Sequence, residues 1–124
     1  LKDEGVKVTA TAIYSKTQGF LAIATGVDYL APYYNRMQSL DIDTRGTLEA
    51  LAGFIRRFNA PSKIMAASFK NVSQVSHALE AGADAVTLPP KLLRAALSAP
   101  GIEAAVDAFI NDWKKVYGTT SLPD

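Results

Sequence analysis

Four times along this chain of 124 residues, a short run of β-branched or small apolar residues is followed by a stretch with apolar side chains at helical spacing. That alternation constrains the fold more than any single motif. Strands that alternate with helices run parallel, because parallel neighbours need a long crossover and cannot be joined by a tight hairpin. Residues 6–13, 27–33, 63–69 and 83–88 read as the four strands. Ser15 can cap a first helix that carries Gln18, Phe20, Leu21 and Ile23 and closes at Gly26. Residues 35–43 read as a polar loop. Thr44 then opens a second helix with Leu48, Leu51, Ala52, Ile55 and Phe58 on one stripe, ended by the break Asn59-Ala60-Pro61-Ser62. Asn71 or Ser73 can cap a third, carrying Val72, Val75, Ala78 and Leu79 up to Gly82. Pro89-Pro90 starts a short helix over 91–97. The last helix, Ile102–Tyr117, has Val106, Phe109, Ile110, Trp113 and Val116 on its apolar stripe, and residues 118–124 read as an extended polar tail.

The class is therefore α/β, in one domain (1–124) of about four strand-helix units plus the C-terminal helix. A faint internal repeat refines it. Gly26-Val27-Asp28-Tyr29-Leu30 recurs as Gly82-Ala83-Asp84-Ala85-Val86, each time closing a helix with glycine and entering a strand through aspartate. Similarity at every second unit suits a TIM (β/α)8 barrel, whose alternate strands fill alternate layers, and an open doubly wound sheet stays compatible. No Gly-x-Gly-x-x-Gly and no Walker loop is present, so the usual nucleotide fingerprints are absent. A full barrel takes about 250 residues. Four units are half of one, with two open strand edges unless something pairs with them. The opening Leu1-Lys2-Asp3-Glu4-Gly5 resembles the last turn of a helix with its glycine cap, and no initiating Met precedes it. These features fit the C-terminal half of a longer barrel chain; a short charged leader ahead of the first strand is the alternative.

Composition removes several function classes. Thirteen basic and twelve acidic side chains leave a net charge of +1, so no global field favours nucleic acid or an anionic membrane. With no cysteine there is no disulfide framework, thiolate metal site or cysteine nucleophile. No apolar run approaches the roughly 20 residues that span a bilayer, and the default compartment is cytoplasmic. His77 lies within a helix, and Arg56-Arg57 reads as a solvated helix face because no aromatic stacking platform accompanies it.

Catalytic groups of barrels project from the C-terminal ends of the strands. Those ends hold Thr9 and Thr11, then Tyr33, Asn35 and Arg36, then Ser68 and Lys70, then Thr87. Arg36, Ser68 and Lys70 combine a planar fork of donors, a hydroxyl and an ammonium, the set a phosphate monoester needs. Tyr33 can carry a proton, and needs help from neighbours to act as a base at neutral pH. Each also has a plainer reading. Tyr33 and Tyr34 can be packing aromatics, Arg36 an ion-pair partner, Thr11 and Ser68 buried hydroxyls, and Lys70 a solvent-facing charge. Trp113 with Phe109 and Tyr117 can anchor the last helix.

Thr11-Ala12-Ile13-Tyr14 with Gln18-Gly19, Ala31-Pro32-Tyr33-Tyr34-Asn35-Arg36, Ala66-Ala67-Ser68-Phe69-Lys70 and Val86-Thr87-Leu88-Pro89 occur in that order. They are followed by a Phe-x-x-x-Trp segment, Phe109 to Trp113, and a tail with Gly118 and Ser121. At these residues the chain resembles the second half of the short transaldolase and fructose-6-phosphate aldolase family, over essentially its whole length. The resemblance implies a class I aldolase on a (β/α)8 barrel, in which a lysine forms a Schiff base with a dihydroxyacetone or sugar-phosphate carbonyl and no metal or cofactor takes part. By it, Tyr33 is the acid/base, Thr11 helps to hold a catalytic water, and Arg36 with Ser68 grips the substrate phosphate. Tyrosine at position 33 points to the aldolase branch, since the transaldolases tend to carry phenylalanine there. The family's Schiff-base lysine, with the acidic and amide residues that complete the site, falls before the start of this sequence; Lys70 is the nearest stand-in. The partners implied are a small sugar phosphate, the first half of the barrel, and further copies of the chain in a ring packed through the C-terminal helix. Two other readings stay open: a non-catalytic half-barrel that binds phosphate or serves as a scaffold, and an unrelated open α/β domain that strand order would reveal.

Overall fold

The computed structural model describes residues 4–98 and 102–117, the side chains of 102–104, 106, 116 and 117 excepted. The expected tail over 118–124 and the first three residues lie outside that range. The chain divides into two compact units, Leu1–Pro89 and Pro90–Asp124. The first contains β1 (Thr9–Ile13), α1 (Lys16–Ala24), β2 (Tyr29–Pro32), α2 (Tyr34–Ser39), α3 (Thr44–Arg57), β3 (Lys63–Ala66), α4 (Val72–Glu80) and β4 (Ala85–Val86). The second contains α5 (Pro90–Leu97) and α6 (Ile102–Tyr117). Among the described residues no helix is long and apolar enough to cross a membrane.

The four strands are parallel and stand in the order β1-β2-β3-β4. This sequential order lacks the reversal that marks a doubly wound sheet, and it is compatible with strands of a barrel. Register sorts the side chains. Ala10, Leu30 and Ile64 share one row, in which Leu30 and Ile64 are fully buried. They meet Ile23 of α1 and Leu51 and Ala52 of α3, so these crossover helices cover that face. Thr9, Tyr29 and Lys63 form the adjacent row on the opposite face, and all three are exposed. Parallel sheets are ordinarily covered on both sides, so this open face distinguishes the unit. One extra residue in β1, between the pairs Ala10↔Leu30 and Ile13↔Pro32, forms a bulge with Ala12 at φ +55°. The bulge shifts Ile13 from the open face to the core, where it is 5% exposed.

The Gly-x-Asp repeat has a clear physical purpose. The Val8 N–H donates to Asp28 Oδ2 at 2.8 Å, and the Ile64 N–H donates to Asp84 Oδ2 at 2.8 Å, so each aspartate ties the entry of its own strand to the preceding one. The repeat also extends further than the sequence pattern. Positions 12 and 68 both hold non-glycine residues at positive φ, 15 and 71 are helix N-caps, and 26 and 82 are left-handed glycines after helix ends. Each pair is fifty-six positions apart. At Gly82 a side chain would meet both the strain of φ +116° and the Ala52 Cβ, 2.8 Å from where its own Cβ would stand.

One expected element is corrected. The polar loop over 35–43 is in large part helix α2. Its polar spellings, Asn35, Arg36, Gln38 and Ser39, conceal two core anchors: Met37 is fully buried and Tyr34 is 2% exposed. No side chain caps it. Instead the Tyr34 N–H donates to the Ala67 carbonyl (2.8 Å) and the Asn35 N–H to the Ser68 carbonyl (2.6 Å), so the segment just after β3 supplies the missing acceptors. The strands are also shorter than expected, β1 at its start, β3 at its end, and β2 and β4 at both, β4 most of all with two residues.

In α6, the Phe109 and Trp113 rings stand 6.1 Å apart, one turn from each other, with Phe109 66% and Ile110 36% exposed. Of the expected stripe, Val106 and Val116 lie outside the described side chains.

The Tyr34 ring stacks on Phe69 at 5.7 Å. Burial pushes its phenol above the ordinary value; Arg45 opposes this, and Asp43 and Glu80 add to it. A raised folded-state value means that the native protein keeps a proton that the unfolded chain gives up as pH passes about 10. Stability is therefore full below that pH and falls above it, by at most about 1.4 kcal/mol per pH unit from this group. Denaturant unfolding between pH 9 and 11.5 should show a steeper alkaline decline in wild type than in Tyr34→Phe. Parallel declines would dismiss the effect.

Candidate active site

The polar residues at the C-terminal strand ends come together in part. Thr11, near the end of β1, and Tyr33, just after β2, meet through their hydroxyls at 3.0 Å, and either can donate. Thr11 is exposed, in the stretch of β1 where the register shifts between Ala10 and Ile13. Tyr33 is half-buried and precedes α2, and its isolated bridge with Ala67 holds it beside the end of β3.

Arg36, in the first turn of α2, lies with its guanidinium carbon 5.9 Å from the Tyr33 ring centroid. Its Nη1 donates a long hydrogen bond to Tyr14 Oη at 3.4 Å. The Tyr14 ring in turn meets Tyr33 edge-on, centroids 5.6 Å apart at 82°. Tyr14, Asn35, Arg36, Ser39 and Leu40 line a cleft of about 480 Å³ beside this cluster. Among the described residues no carboxylate pairs with Arg36, so its fork of donors faces the cleft without an internal anion.

Ser68 sits in the left-handed region at φ +64°, a conformation that costs a non-glycine residue energy and persists where its surroundings impose it. Here Asn35 imposes it, donating its N–H to the Ser68 carbonyl. The two segments expected to hold phosphate are thus joined one residue away from Arg36. Among the described residues no contact joins the Lys70 ammonium to Arg36 or Ser68. Lys70 is exposed, and its backbone N–H donates to Gln74 Oε1 (2.7 Å). Thr87 is exposed and is held by its N–H on the Ala66 carbonyl.

Two residues were not singled out by sequence reasoning. Tyr14 stands within the quoted strand motif, but nothing in its spacing told that its ring would reach Tyr33 and Arg36, because the bulge at Ala12 decides where it points. Gln74 is legible only as the fourth residue of Asn71-x-x-Gln74, a capping-box spacing. Its further contacts lie across the fold.

The C-terminal edge of this parallel α/β sheet thus brings together the Thr11–Tyr33 hydroxyl pair and the Arg36 guanidinium. Residues 1–120 match the family described as transaldolase/fructose-6-phosphate aldolase, and the chain belongs to that family. It is 53% identical over 122 residues to a protein of Streptococcus pneumoniae described as a probable fructose-6-phosphate aldolase. The alignment covers 98% of this chain and 55% of that relative, so the chain spans about half of its length.

Proposed function

We propose that this chain supplies the acid/base and phosphate-binding side of a class I aldolase or transaldolase acting on small sugar phosphates. The observation that carries the reading is the Thr11-Tyr33-Arg36 cluster: two hydroxyls 3.0 Å apart beside a guanidinium that no carboxylate pairs with among the described residues. The family membership and the relative's description as a probable fructose-6-phosphate aldolase support it. The Schiff-base lysine is contributed from outside residues 1–124, and no metal or cofactor is required.

In this reading a lysine amine condenses with the ketose carbonyl and releases water. A base then takes the proton of the C4 hydroxyl, the C3–C4 bond breaks, and its electron pair moves onto the iminium to leave an enamine and a free aldehyde. Tyr33 acts as that base through a water held with Thr11. The same group returns the proton to C3 before hydrolysis frees dihydroxyacetone; capture of the enamine by an acceptor aldehyde gives transfer instead of cleavage. Arg36 and Ser68 hold the phosphate, with Lys70 adding positive charge at the rim.

The open face of the sheet and the edges β1 and β4 are where the remaining strands of a barrel close. The exposed Phe109 and Ile110 of α6 support assembly of copies through the C-terminal helix. The alternative, a non-catalytic half-barrel binding phosphate, is separated by trapping. Borohydride reduction of the full-length protein with a ketose phosphate should leave a reduced adduct on one lysine outside residues 1–124. An adduct on Lys63 or Lys70, or none at all, would sink the reading.

A further inference from the structure

Gln74 is 6% exposed, and its side chain makes more bonds than the start of α4 requires. Its backbone N–H donates to Asn71 Oδ1 at 2.9 Å, and its Oε1 accepts from the Lys70 N–H at 2.7 Å. Together these close the first turn. Its Nε2 then donates twice across to α2, to Asn35 Oδ1 at 3.0 Å and to Gln38 Oε1 at 2.7 Å.

The internal repeat provides a comparison within the same molecule. Gln18 occupies the equivalent place in α1 and makes the same bond, accepting from the Tyr14 N–H at 2.7 Å, yet it is exposed. Capping therefore needs neither burial nor the amide nitrogen. What Gln74 adds is a cross-link from the β3–α4 turn to the helix that carries Arg36.

That cross-link joins two particular segments. Lys70 is two residues beyond Ser68, and Asn35 is the residue before Arg36 and also bonds the Ser68 carbonyl. We infer that Gln74 is a positioning residue for phosphate binding: it locks residues 35–38 against 68–70, so that Arg36 and Ser68 present their donors to one anion at a set spacing. The inference rests on the proposed reading of Arg36 and Ser68. Donors ordered beforehand bind more tightly than donors that must be ordered by the ligand, and the gain appears only with ligands that carry the anion.

The test compares a phosphorylated ketose with its unphosphorylated analogue in the full-length protein. Gln74→Met should raise KM for the phosphorylated substrate about tenfold, with kcat and the analogue's KM within about twofold. Gln74→Glu keeps the cap acceptor and can receive the amide groups of Asn35 and Gln38 turned around, so it should recover to within about threefold of wild type. Gln38→Ala removes one of the two cross-links from an exposed position, and decides the question if Gln74→Met does not fold. It should raise KM about two- to fourfold for the phosphorylated substrate alone. Equal changes for both substrates, or unaltered values in Gln38→Ala, overturn the positioning role. Arg36→Ala measured alongside separates the two levels. If it discriminates between the substrates and the Gln74 and Gln38 variants do not, only the positioning role fails; if it does not discriminate, the phosphate reading fails and the inference with it.

Discussion

Tyr33→Phe in the full-length protein is expected to lower kcat for aldol cleavage by about 10²–10⁴, the usual contribution of a positioned acid or base. The substitution removes one oxygen atom and leaves the ring, so the edge contact with Tyr14 and the approach of Arg36 persist. Thr11 loses its partner at 3.0 Å, and the water that the two hydroxyls would hold loses one of its two anchors. Transfer needs the same proton taken from the C4 hydroxyl of the donor, so transaldolase activity should fall together with cleavage, while borohydride trapping, which reports the earlier Schiff base, should be retained. Unchanged cleavage would remove Tyr33 from proton transfer and leave it the role of a packing aromatic.

Replacing Arg36 by alanine should raise KM for a phosphorylated ketose about 100-fold, while unphosphorylated dihydroxyacetone changes by less than about twofold. Charge-assisted hydrogen bonds are worth roughly 1.5–3 kcal/mol each, and a guanidinium offers two in parallel to one phosphate. Arg36→Lys keeps the charge and loses the planar fork, so it should recover only part of the affinity. The residue is exposed, so stability should scarcely move, and a binding defect can be read without a folding defect. If both substrates weaken equally, Arg36 is a structural cation and not the phosphate ligand.

The legible and the illegible parts of the fold divide by the distance of the deciding contacts. Ser15 and Asn71 cap helices whose first-turn N–H groups lie within three residues, at Gln18 and Gln74. The α3 stripe is likewise a local matter: Leu48 and Leu51 are fully buried because the 3.6-residue period turns them to one side. Gly26-x-Asp28 and Gly82-x-Asp84 could be seen as punctuation, while the strand N–H groups that the aspartates bind, 20 positions earlier, could not. For the candidate site, strand ends pointed to Thr11, Tyr33, Arg36 and Ser68, and the fold brings these residues near one another. Lys70 was grouped with Arg36 and Ser68 by its place at a strand end; its backbone N–H goes to Gln74, and among the described residues no contact joins its ammonium to theirs.

The sequence by itself determined the alternation of strands and helices, the helix starts and the family, because each depends on residues within a turn or on a run of quoted motifs. Only the tertiary structure decided that residues 34–39 form a helix, that Tyr14 stands beside Tyr33 and Arg36, and that Gln74 ties α2 to the turn before α4. The reason is physical. The first N–H groups of α2 find their acceptors on Ala67 and Ser68, and the Gln74 amide finds its own 39 and 36 positions away on Asn35 and Gln38. A helix end satisfied by a distant segment, and a buried amide satisfied by a distant helix, leave no pattern in any local window of the chain.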